Sequence, residues 1–302
     1  MSGPRRRLLL LLMSASANLF LLPGAGQAAY TADVQQVRVG KAKVAYYERG
    51  SGPALLMLIG TGSTMSEWDP ALLGLLARHW RLIIVDYPGV GLSSGSVAPT
   101  FSATADQISR FLAKSGHPRV SVLGWSMGGF IAQRMAAQHR HRVSRLILAG
   151  TNPGSPHAAL GPPWVQNIDS DPGDDLAALK VLYPRTRTGQ REGRFFLRRL
   201  IRGSQSGLIP DDFVVPVRSR RRQVASEDGW LRWRGNWRQL RSLAMPVLVT
   251  AGKRDQVTPP INAVRINRQI GRTSRLRLYP GAHAFLFQKR KAFAADLLRW
   301  RR

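Results

Sequence analysis

The feature that most constrains the fold of this sequence is the pentapeptide Gly-Trp-Ser-Met-Gly at positions 124–128. An apolar, β-branched run at 119–123 precedes it, and small residues recur at every fourth position from Gly128 to Ala136. The run predicts a buried strand, and the spacing predicts a helix that lies close to the sheet. A strand that turns abruptly into a helix strains the backbone at the corner and requires small residues two positions away on each side. The pattern therefore predicts a nucleophile elbow with Ser126 at its corner.

A serine hydroxyl is a poor nucleophile at neutral pH, so it needs a histidine as base and a carboxylate that orients the histidine. Asp255 follows an apolar run that predicts a strand at 246–252, and His283 follows a second predicted strand at 275–279. In an open parallel sheet, the loops at the carboxyl ends of the strands share one edge. The predicted catalytic triad is therefore Ser126, Asp255 and His283, with His283 as the base and Asp255 as the acid.

Length and composition limit which other kinds of functional site the chain can contain. With 302 residues, of which 44% are hydrophobic, the chain is long enough for one large α/β domain that carries an insertion. It contains no cysteine, which excludes disulfides, a cysteine nucleophile and thiolate metal sites. The sequence has no histidine pair at metal-ligand spacing beside carboxylates and no glycine loop with lysine that would cradle phosphates. We therefore expect neither a metal ion nor a nucleotide cofactor.

Residues 1–29 are predicted to be a signal peptide. Three arginines at 5–7 precede a leucine-rich segment, and small residues end it around an expected cleavage site after Ala28. The apolar segment is too short and too polar for a membrane span, so we expect a periplasmic or secreted protein. The adjacent arginines are also compatible with twin-arginine export. Removal of this segment lowers the formal charge from +28 to +25, because it carries three arginines and no acidic residue.

The rest of the chain divides into a core segment at 30–150, an insertion at 151–243 and a second core segment at 244–302. The core segments alternate predicted strands and helices, which is typical of a mostly parallel sheet flanked by helices. In the first segment we predict a hairpin at 34–39 and 42–47, a strand at 54–59, a helix at 66–78, a strand at 81–86, a helix at 103–114 and a strand at 143–149. In the second, a helix at 261–270 separates the two predicted strands, and another helix ends the chain.

The insertion is predicted to be a helical cap. Prolines divide it into short helical stretches, and arginines crowd it between 185 and 241. Near its end, Trp230, Trp233 and Trp237 are predicted to share one face of an amphipathic helix. Two interpretations remain open, because these rings either dock the cap on the core or form an apolar wall of a substrate pocket. The candidate pocket residues are Trp125, Trp164, Trp233, Trp237 and Phe285.

Four motifs in chain order resemble those of the α/β-hydrolase superfamily. They are the Gly60-Thr61-Gly62 loop, the turn at 86–93, the elbow at 124–129, and the loops that hold Asp255 and His283. The resemblance covers about 34–152 and 244–300 and leaves the cap unmatched. It implies the α/β-hydrolase fold with a cap insertion. Within the superfamily the pattern is similar to serine esterases, haloperoxidase-like perhydrolases and carbon–carbon hydrolases.

The resemblance also implies roles for residues near the predicted triad. Asp86 also ends a predicted strand and competes for the role of the acid, but its turn resembles the structural turn that follows this strand in the superfamily. Many relatives carry histidine where this chain has Ile59. Negative charge develops on the substrate carbonyl oxygen during attack, and the predicted donors to it are the backbone N–H groups of Met127 and Thr61.

Two classes of function remain. The ordered triad predicts a cofactor-free serine hydrolase that cleaves an ester or related acyl bond of a small molecule through an acyl-enzyme. Within this class the alternative is transfer of the acyl group to peroxide or another alcohol. The arginine content alone supports a non-catalytic protein whose basic cap is weakly attracted to anionic membranes or polymers. Arginine runs without interleaved aromatic residues are weak evidence for nucleic acid, which is not an expected partner. The sequence leaves the oligomeric state open.

Overall fold

The computed structural model describes residues 31–170 and 175–301. The predicted signal peptide at 1–29 lies outside these residues. Within them, no helix combines the length and the apolar character that crossing a membrane requires.

An eight-stranded sheet forms the centre of the described part of the chain. Its strands are β1 (Gln35–Val39), β2 (Ala42–Arg49), β3 (Ala54–Leu58), β4 (Arg81–Val85), β5 (Val120–Trp125), β6 (Val143–Ala149), β7 (Val247–Gly252) and β8 (Ser274–Tyr279). Their spatial order is β1-β2-β4-β3-β5-β6-β7-β8. The pairs β1/β2 and β2/β4 are antiparallel, and all other neighbouring pairs are parallel. The predicted mostly parallel sheet is confirmed.

The position of each strand explains its sequence pattern. In the middle of the sheet, β3, β4 and β5 are buried along almost their whole length. Helices cover both faces of such strands, so successive side chains all have to be apolar. At the edge, β8 alternates instead, and Arg275 and Arg277 are exposed while Leu276 and Leu278 are half-buried.

Helices flank this sheet and form the insertion. They are α1 (Pro70–Leu76), α2 (Phe101–Lys114), α3 (Met127–Gln138), α4 (Pro163–Ser170), α5 (Asp175–Leu182), α6 (Arg187–Gln205), α7 (Val217–Arg232), α8 (Gly235–Leu240), α9 (Ile261–Ile270), α10 (Phe285–Gln288) and α11 (Arg290–Arg301). Short 3₁₀ turns occur at Met65–Glu67 and Arg140–Arg142. The helices α4 to α8 lie between β6 and β7 in the chain and make up the predicted cap segment.

One predicted helix, at 66–78, is wrong in its extent. The chain instead forms the 3₁₀ turn Met65–Glu67 and then starts a separate helix at Pro70. Proline has no backbone N–H and its fixed φ suits the first position of a helix, so it starts a helix more readily than it continues one. The side chain of Asp69 caps the new helix by accepting a hydrogen bond of 2.9 Å from the Ala71 N–H.

The expectation that three tryptophans share one helical face is also wrong. Helix α7 ends at Arg232, Trp233 has an extended backbone (φ −86°, ψ 119°), and α8 begins at Gly235. The ring of Trp233 lies directly against Gly235, where any Cβ atom would overlap it. The helix therefore breaks at the point where the predicted face would have continued.

The cap is tied to the core by a buried ion pair as well as by apolar packing. Arg199 of α6 donates two hydrogen bonds, of 2.8 and 2.6 Å, to the two oxygens of Asp69, whose side chain is fully buried. Trp230 of α7 stacks on Phe130 at 5.2 Å between ring centroids and belongs to the same apolar core as the sheet. Because Asp69 also caps α1, the cap is anchored to a helix that follows β3.

Candidate active site

The register of the parallel strands brings several loops to one edge of the sheet. Leu58 is paired with Gly124, and Trp125 is paired with Ala149, so β3, β5 and β6 end at similar heights. The same holds for β7 and β8, since Gly252 pairs with the last residue of β8. The predicted triad residues Ser126, Asp255 and His283 all follow these strand ends, which is where ligands bind in open α/β sheets.

Ser126 stands at the corner between β5 and α3. Its backbone has φ 56° and ψ −124°, and it is the one non-glycine residue with positive φ in the described part of the chain. Such a conformation costs about 1–3 kcal/mol and persists only where its surroundings hold it. The Ser126 N–H donates a hydrogen bond of 2.9 Å to the Ala149 carbonyl, and the Ser126 carbonyl accepts one of 2.8 Å from Gly129. Its side chain makes no capping hydrogen bond to α3, so the hydroxyl does not cap the start of this helix.

The two glycines of the elbow are required by close backbone contacts. A Cβ atom at Gly124 would overlap the Gly128 carbonyl oxygen, and one at Gly128 would overlap the Leu58 carbonyl oxygen. The first contact closes the turn, and the second lets α3 lie directly against β3. The elbow geometry predicted from the small residues is therefore present.

Asp255 and His283 form a buried pair. His283 Nδ1 lies 2.8 Å from Asp255 Oδ2, with side-chain exposures of 2% and 0%. Asp255 Oδ1 accepts hydrogen bonds of 2.9 Å from the backbone N–H groups of Val257 and Thr258. The carboxylate is thus fixed in orientation, and it fixes the imidazole in turn.

Thr258 is a site residue that the sequence analysis missed. Its hydroxyl donates a hydrogen bond of 3.0 Å to Asp255 Oδ2, the oxygen that also contacts His283. The signal was present as a threonine three positions after an aspartate at a strand end, a spacing at which both the backbone and the side chain can bond back to the carboxylate.

Trp125 joins the His283 loop to the elbow. Its indole Nε1 donates a hydrogen bond of 3.1 Å to the His283 carbonyl, and the two rings lie 5.3 Å apart. Gly150 (φ 53°), the first residue after β6, lies on the other side of the pair. A Cβ atom there would lie 3.3 Å from both Asp255 Oδ2 and His283 Nδ1. The structure therefore places Asp255 and His283 beside the residues that adjoin Ser126 in the chain and in the sheet.

The loop after β3 lies opposite Ser126. A Cβ atom at Gly60 would be 3.2 Å from the Ser126 Cβ, so only a glycine leaves the serine its present space. Below the loop, the buried Tyr87 hydroxyl donates a hydrogen bond of 2.8 Å to the Ile59 carbonyl. The predicted main-chain donors flank the serine, since Thr61 follows Gly60 and the buried Met127 is the first residue of α3.

Asp86 has a structural role instead of pairing with a histidine. Its two oxygens accept hydrogen bonds from the backbone N–H groups of Met65 (2.7 Å) and Leu92 (2.9 Å). Burial raises the pKa of Asp86 from 3.8 to about 7, although these two hydrogen bonds act in the opposite direction. It thereby joins the loop after β3 to the turn that contains Gly91.

Three of the predicted pocket residues pack in the core or lie at the surface. Trp125 is 5% exposed and packs against Trp68 and Phe287, so it supports the His283 loop from the core. Phe285 is fully buried and stacks on a tyrosine of β8, and it is likewise a core residue. Trp233 is 38% exposed, and the Arg134 guanidinium lies 4.6 Å from the centre of its ring. Aromatic rings near a site also pack in the core or on the surface, and a pocket role for these three residues stays a prediction.

The other two predicted pocket residues, Trp164 and Trp237, are neither fully buried nor exposed. Trp164 is half-buried, packs on a small apolar cluster with Val165, and carries the Arg185 guanidinium 5.0 Å above its ring. Trp237 is half-buried against the His157 ring, with 4.0 Å between the centroids. Among residues 31–170 and 175–301, no group of three histidine, aspartate or glutamate side chains is arranged to hold a metal ion.

This geometry agrees with a comparison to known families. A family model described as alpha/beta hydrolase fold matches residues 53–290, which is most of the chain and includes Ser126, Asp255 and His283. The chain belongs to the alpha/beta hydrolase fold family. The superfamily that four sequence motifs indicated is therefore confirmed.

Several curated relatives of this alpha/beta hydrolase are named as esterases. A pimeloyl-[acyl-carrier protein] methyl ester esterase from Vibrio campbellii is 29% identical over 259 residues, which cover 82% of this chain and 94% of that protein. A protein of the same name from Nitrosomonas europaea is 28% identical over 241 residues, covering 76% and 88% of the two chains. The prediction of a hydrolase enzyme is confirmed.

Solved structures resemble the whole described fold. An alpha/beta hydrolase fold protein from Chitinophaga pinensis has a TM-score of 0.78 at 24% identity, covering 88% of this chain and 96% of that one. The enol-lactonase from Burkholderia xenovorans LB400 has a TM-score of 0.70 at 18% identity, with coverages of 88% and 99%. At these identities the likeness shows a common fold.

Proposed function

We propose that this alpha/beta hydrolase is a serine hydrolase that cleaves carboxylic esters with Ser126, His283 and Asp255. The observation that carries the proposal is the fully buried hydrogen bond of 2.8 Å between His283 Nδ1 and Asp255 Oδ2. An imidazole that donates its Nδ1 proton to a carboxylate keeps Nε2 unprotonated, and Nε2 can then act as a base. The strained Ser126 and the ester-hydrolysing relatives support the same chemistry.

The proposed reaction has two halves. His283 Nε2 takes the proton of Ser126 Oγ as this oxygen attacks the ester carbonyl carbon, and a tetrahedral intermediate forms. The intermediate collapses, the bond to the alcohol oxygen breaks, and the imidazolium gives its proton to the departing alcohol. A water molecule then attacks the acyl carbon with His283 again as the base, the bond between this carbon and Ser126 Oγ breaks, and the imidazolium returns its proton to Oγ as the acid leaves. Asp255 stabilises the imidazolium in both halves.

The negative charge of the intermediate requires two hydrogen-bond donors. We assign these to the backbone N–H groups of Met127 and Thr61, on the two sides of Ser126. Met127 begins α3, whose first N–H groups have no partner within the helix and whose dipole favours negative charge. Removing one such donor typically lowers kcat by about 10²–10³-fold.

Substitution of Ser126 tests the proposal directly. In Ser126→Ala, hydrolysis of p-nitrophenyl acetate should fall by at least about 10³-fold with little change in thermal stability, because only the hydroxyl is lost. The matched control is Ser242→Ala, which removes an exposed hydroxyl and should leave the rate unchanged. A serine-directed fluorophosphonate should label Ser126 in the wild-type protein. A residual rate within tenfold of wild type, or a label on another residue, would refute the assignment.

The named relatives support a proposal for the substrate class. Because the two curated relatives are named as methyl ester esterases, we propose that the substrate is an ester of a small alcohol. A series of methyl, ethyl and p-nitrophenyl esters with acyl chains of increasing length would identify the acyl group. Each methylene that the pocket buries should add about 0.8 kcal/mol to transition-state binding until the pocket is full.

We further propose that residues 1–29 direct export. The three arginines followed by leucines, and the small residues before Tyr30, support this part of the proposal. Expressed with its full sequence in a Gram-negative bacterium, the protein should appear outside the cytoplasm with an N-terminus near Ala29 or Tyr30. Edman degradation or intact-mass measurement decides the point, and folded exported material that retains Met1 or Ser2 would contradict cleavage.

A further inference from the structure

The loop that is proposed to carry one oxyanion donor is held by the cap. The Thr61 hydroxyl donates a short hydrogen bond to Glu227 Oε1, and the Gly62 N–H donates one of 3.0 Å to Gln223 Oε1. Both acceptors belong to α7. The loop after β3 is thus joined on two consecutive residues to a helix that follows it by more than 150 positions.

The residues of α7 that contact the loop lie on one face of the helix. Arg220, Gln223 and Glu227 are spaced by three and four positions, which brings them into line along the axis. The Arg220 guanidinium packs against Gly62, where a Cβ atom would overlap it. Gln223 is 2% exposed, so its hydrogen bond to the loop is shielded from water.

The helix itself is fixed to the core on the same side. The Ser219 hydroxyl donates a hydrogen bond of 2.6 Å to the Gly89 carbonyl, and Ser226 contacts the Ala98 carbonyl at 3.4 Å. Just before α7, the Asp212 carbonyl accepts a hydrogen bond of 2.6 Å from the Thr64 hydroxyl. A helix restrained in this way can restrain a loop in turn.

The loop needs such a restraint because of its composition. Thr61 lies between two glycines, Gly60 and Gly62, which have more accessible conformations than other residues. From the core side, Tyr87 holds the carbonyl of Ile59, one peptide before this segment. From the cap, Gln223 holds the peptide between Thr61 and Gly62 through the Gly62 N–H, and Glu227 holds the Thr61 side chain.

We propose that Gln223 and Glu227 are positioning residues that hold the Thr61 N–H in the direction of the oxyanion, so that the cap completes the oxyanion hole. The proposal rests on the proposed function, in which the Thr61 N–H stabilises the tetrahedral intermediate. Its physical basis is that an oxyanion donor is effective only when it is oriented before the reaction. Neither side chain is assigned contact with the substrate.

Substitutions at the two positions separate positioning from folding. Gln223→Ala and Glu227→Ala should each lower kcat for a small p-nitrophenyl ester by about 10- to 100-fold while KM changes less than about threefold, because a misdirected donor loses part of its effect. Gln223→Glu and Glu227→Gln retain an oxygen acceptor and should recover most of the rate. The matched control is Asp228→Ala, an exposed position of the same helix.

A thionoester provides a readout that a purely structural defect would not change. Its C=S sulfur accepts hydrogen bonds poorly, so an oriented hole favours the oxygen ester over the thionoester. Gln223→Ala should lower the ratio of the oxygen-ester rate to the thionoester rate by about tenfold or more, since the oxygen ester loses a stabilisation that the thionoester never had. An equal loss on both substrates would overturn the proposal, and so would an unchanged kcat.

A double-mutant cycle keeps the proposal testable should Gln223→Ala fail to fold. Thr61→Val removes the hydroxyl but keeps the backbone N–H, and combined with Glu227→Ala it should cost no more than either change alone. Additive losses in the cycle would overturn the role of Glu227. Failure of the proposed function would look different, because the wild-type protein itself would then show no hydrolysis that depends on Ser126.

Discussion

Replacing Asp255 by asparagine changes one atom at the centre of the site. In the wild-type protein, Oδ1 accepts two backbone N–H groups, from Val257 and Thr258, whereas Oδ2 faces His283 Nδ1. The asparagine oxygen has to take the Oδ1 position, because an NH₂ group there would face two donors. Its NH₂ group therefore takes the Oδ2 position and donates to His283 Nδ1.

The consequence is a change of tautomer. With Nδ1 as an acceptor, the imidazole proton moves to Nε2, which then cannot take the proton of Ser126. The same exchange in a Ser-His-Asp protease costs about 10⁴ in kcat. At 1.36 kcal/mol for each factor of ten, we expect the activation free energy of ester hydrolysis to rise by about 5 kcal/mol. The two backbone hydrogen bonds to Oδ1 persist, but the NH₂ group cannot accept the hydrogen bond that the Thr258 hydroxyl donates to Oδ2, so the free energy of unfolding should fall by about 1–3 kcal/mol.

The assay is steady-state hydrolysis of a p-nitrophenyl ester, together with urea denaturation of the same preparation. Asp106→Asn is the matched control, because Asp106 Oδ1 lies 2.7 Å from His139 Nε2 in a half-exposed pair of the same chemical type. That variant should keep the wild-type rate. A rate for Asp255→Asn within tenfold of wild type, with the fold intact, would refute the tautomer argument.

Three further predictions concern stability. Burial raises the pKa of Asp86 to about 7 from 3.8, so between these values the folded state retains a proton that the unfolded state has lost. The stability that this group contributes is therefore complete at low pH and falls as the pH rises, by up to about 4 kcal/mol. We expect the unfolding free energy of the wild type minus that of Asp86→Asn to decrease as the pH rises from about 4 to about 7. A difference that does not change with pH would contradict the raised pKa. Gly128→Ala should cost more than about 3 kcal/mol in chemical denaturation, because its Cβ overlaps a β3 carbonyl, whereas Gly229→Ala, with open space around it in α7, should stabilise by about 0.5–1 kcal/mol. Trp230→Ala should cost about 3–5 kcal/mol, since its ring is buried among aromatic side chains, and Trp233→Ala, an exposed ring over an arginine, about 1 kcal/mol or less by the same measurement.

The fold and the elbow could be predicted because their signals are local. A run of apolar residues reports burial on both faces of a strand, and small residues at four-residue spacing report a helix that lies close to it. At the elbow, the need for glycine at 124 is local, because a Cβ atom there would overlap the Gly128 carbonyl oxygen, whereas glycine at 128 is required where α3 contacts β3. Asp255 closely follows an apolar run and His283 closely follows a run that alternates arginine and leucine; both runs predict strands, so the topology of a parallel sheet was sufficient to predict their common edge.

Other features depend on which surfaces meet, and residue type does not reveal that. Trp125 and Phe285 were predicted to line a pocket because aromatic rings near a site have that role as readily as any other. In the structure both rings are buried; one donates to the His283 carbonyl and the other stacks on Tyr279. A single sequence cannot distinguish the two outcomes, since both satisfy the same demand to remove apolar area from water.

The sequence by itself determined the succession of strands along the chain, the elbow, and the sheet edge at which the loops of Ser126, Asp255 and His283 lie, because each follows from short-range sterics, periodicity and the topology of a parallel sheet. Only the tertiary structure decided that the cap helix α7 holds the loop at Thr61 and Gly62. Those hydrogen bonds join residues more than 150 positions apart. A side-chain amide and a carboxylate on a helix are ordinary surface residues by their pattern. They become part of a site only when packing removes water from them and presents them with a donor.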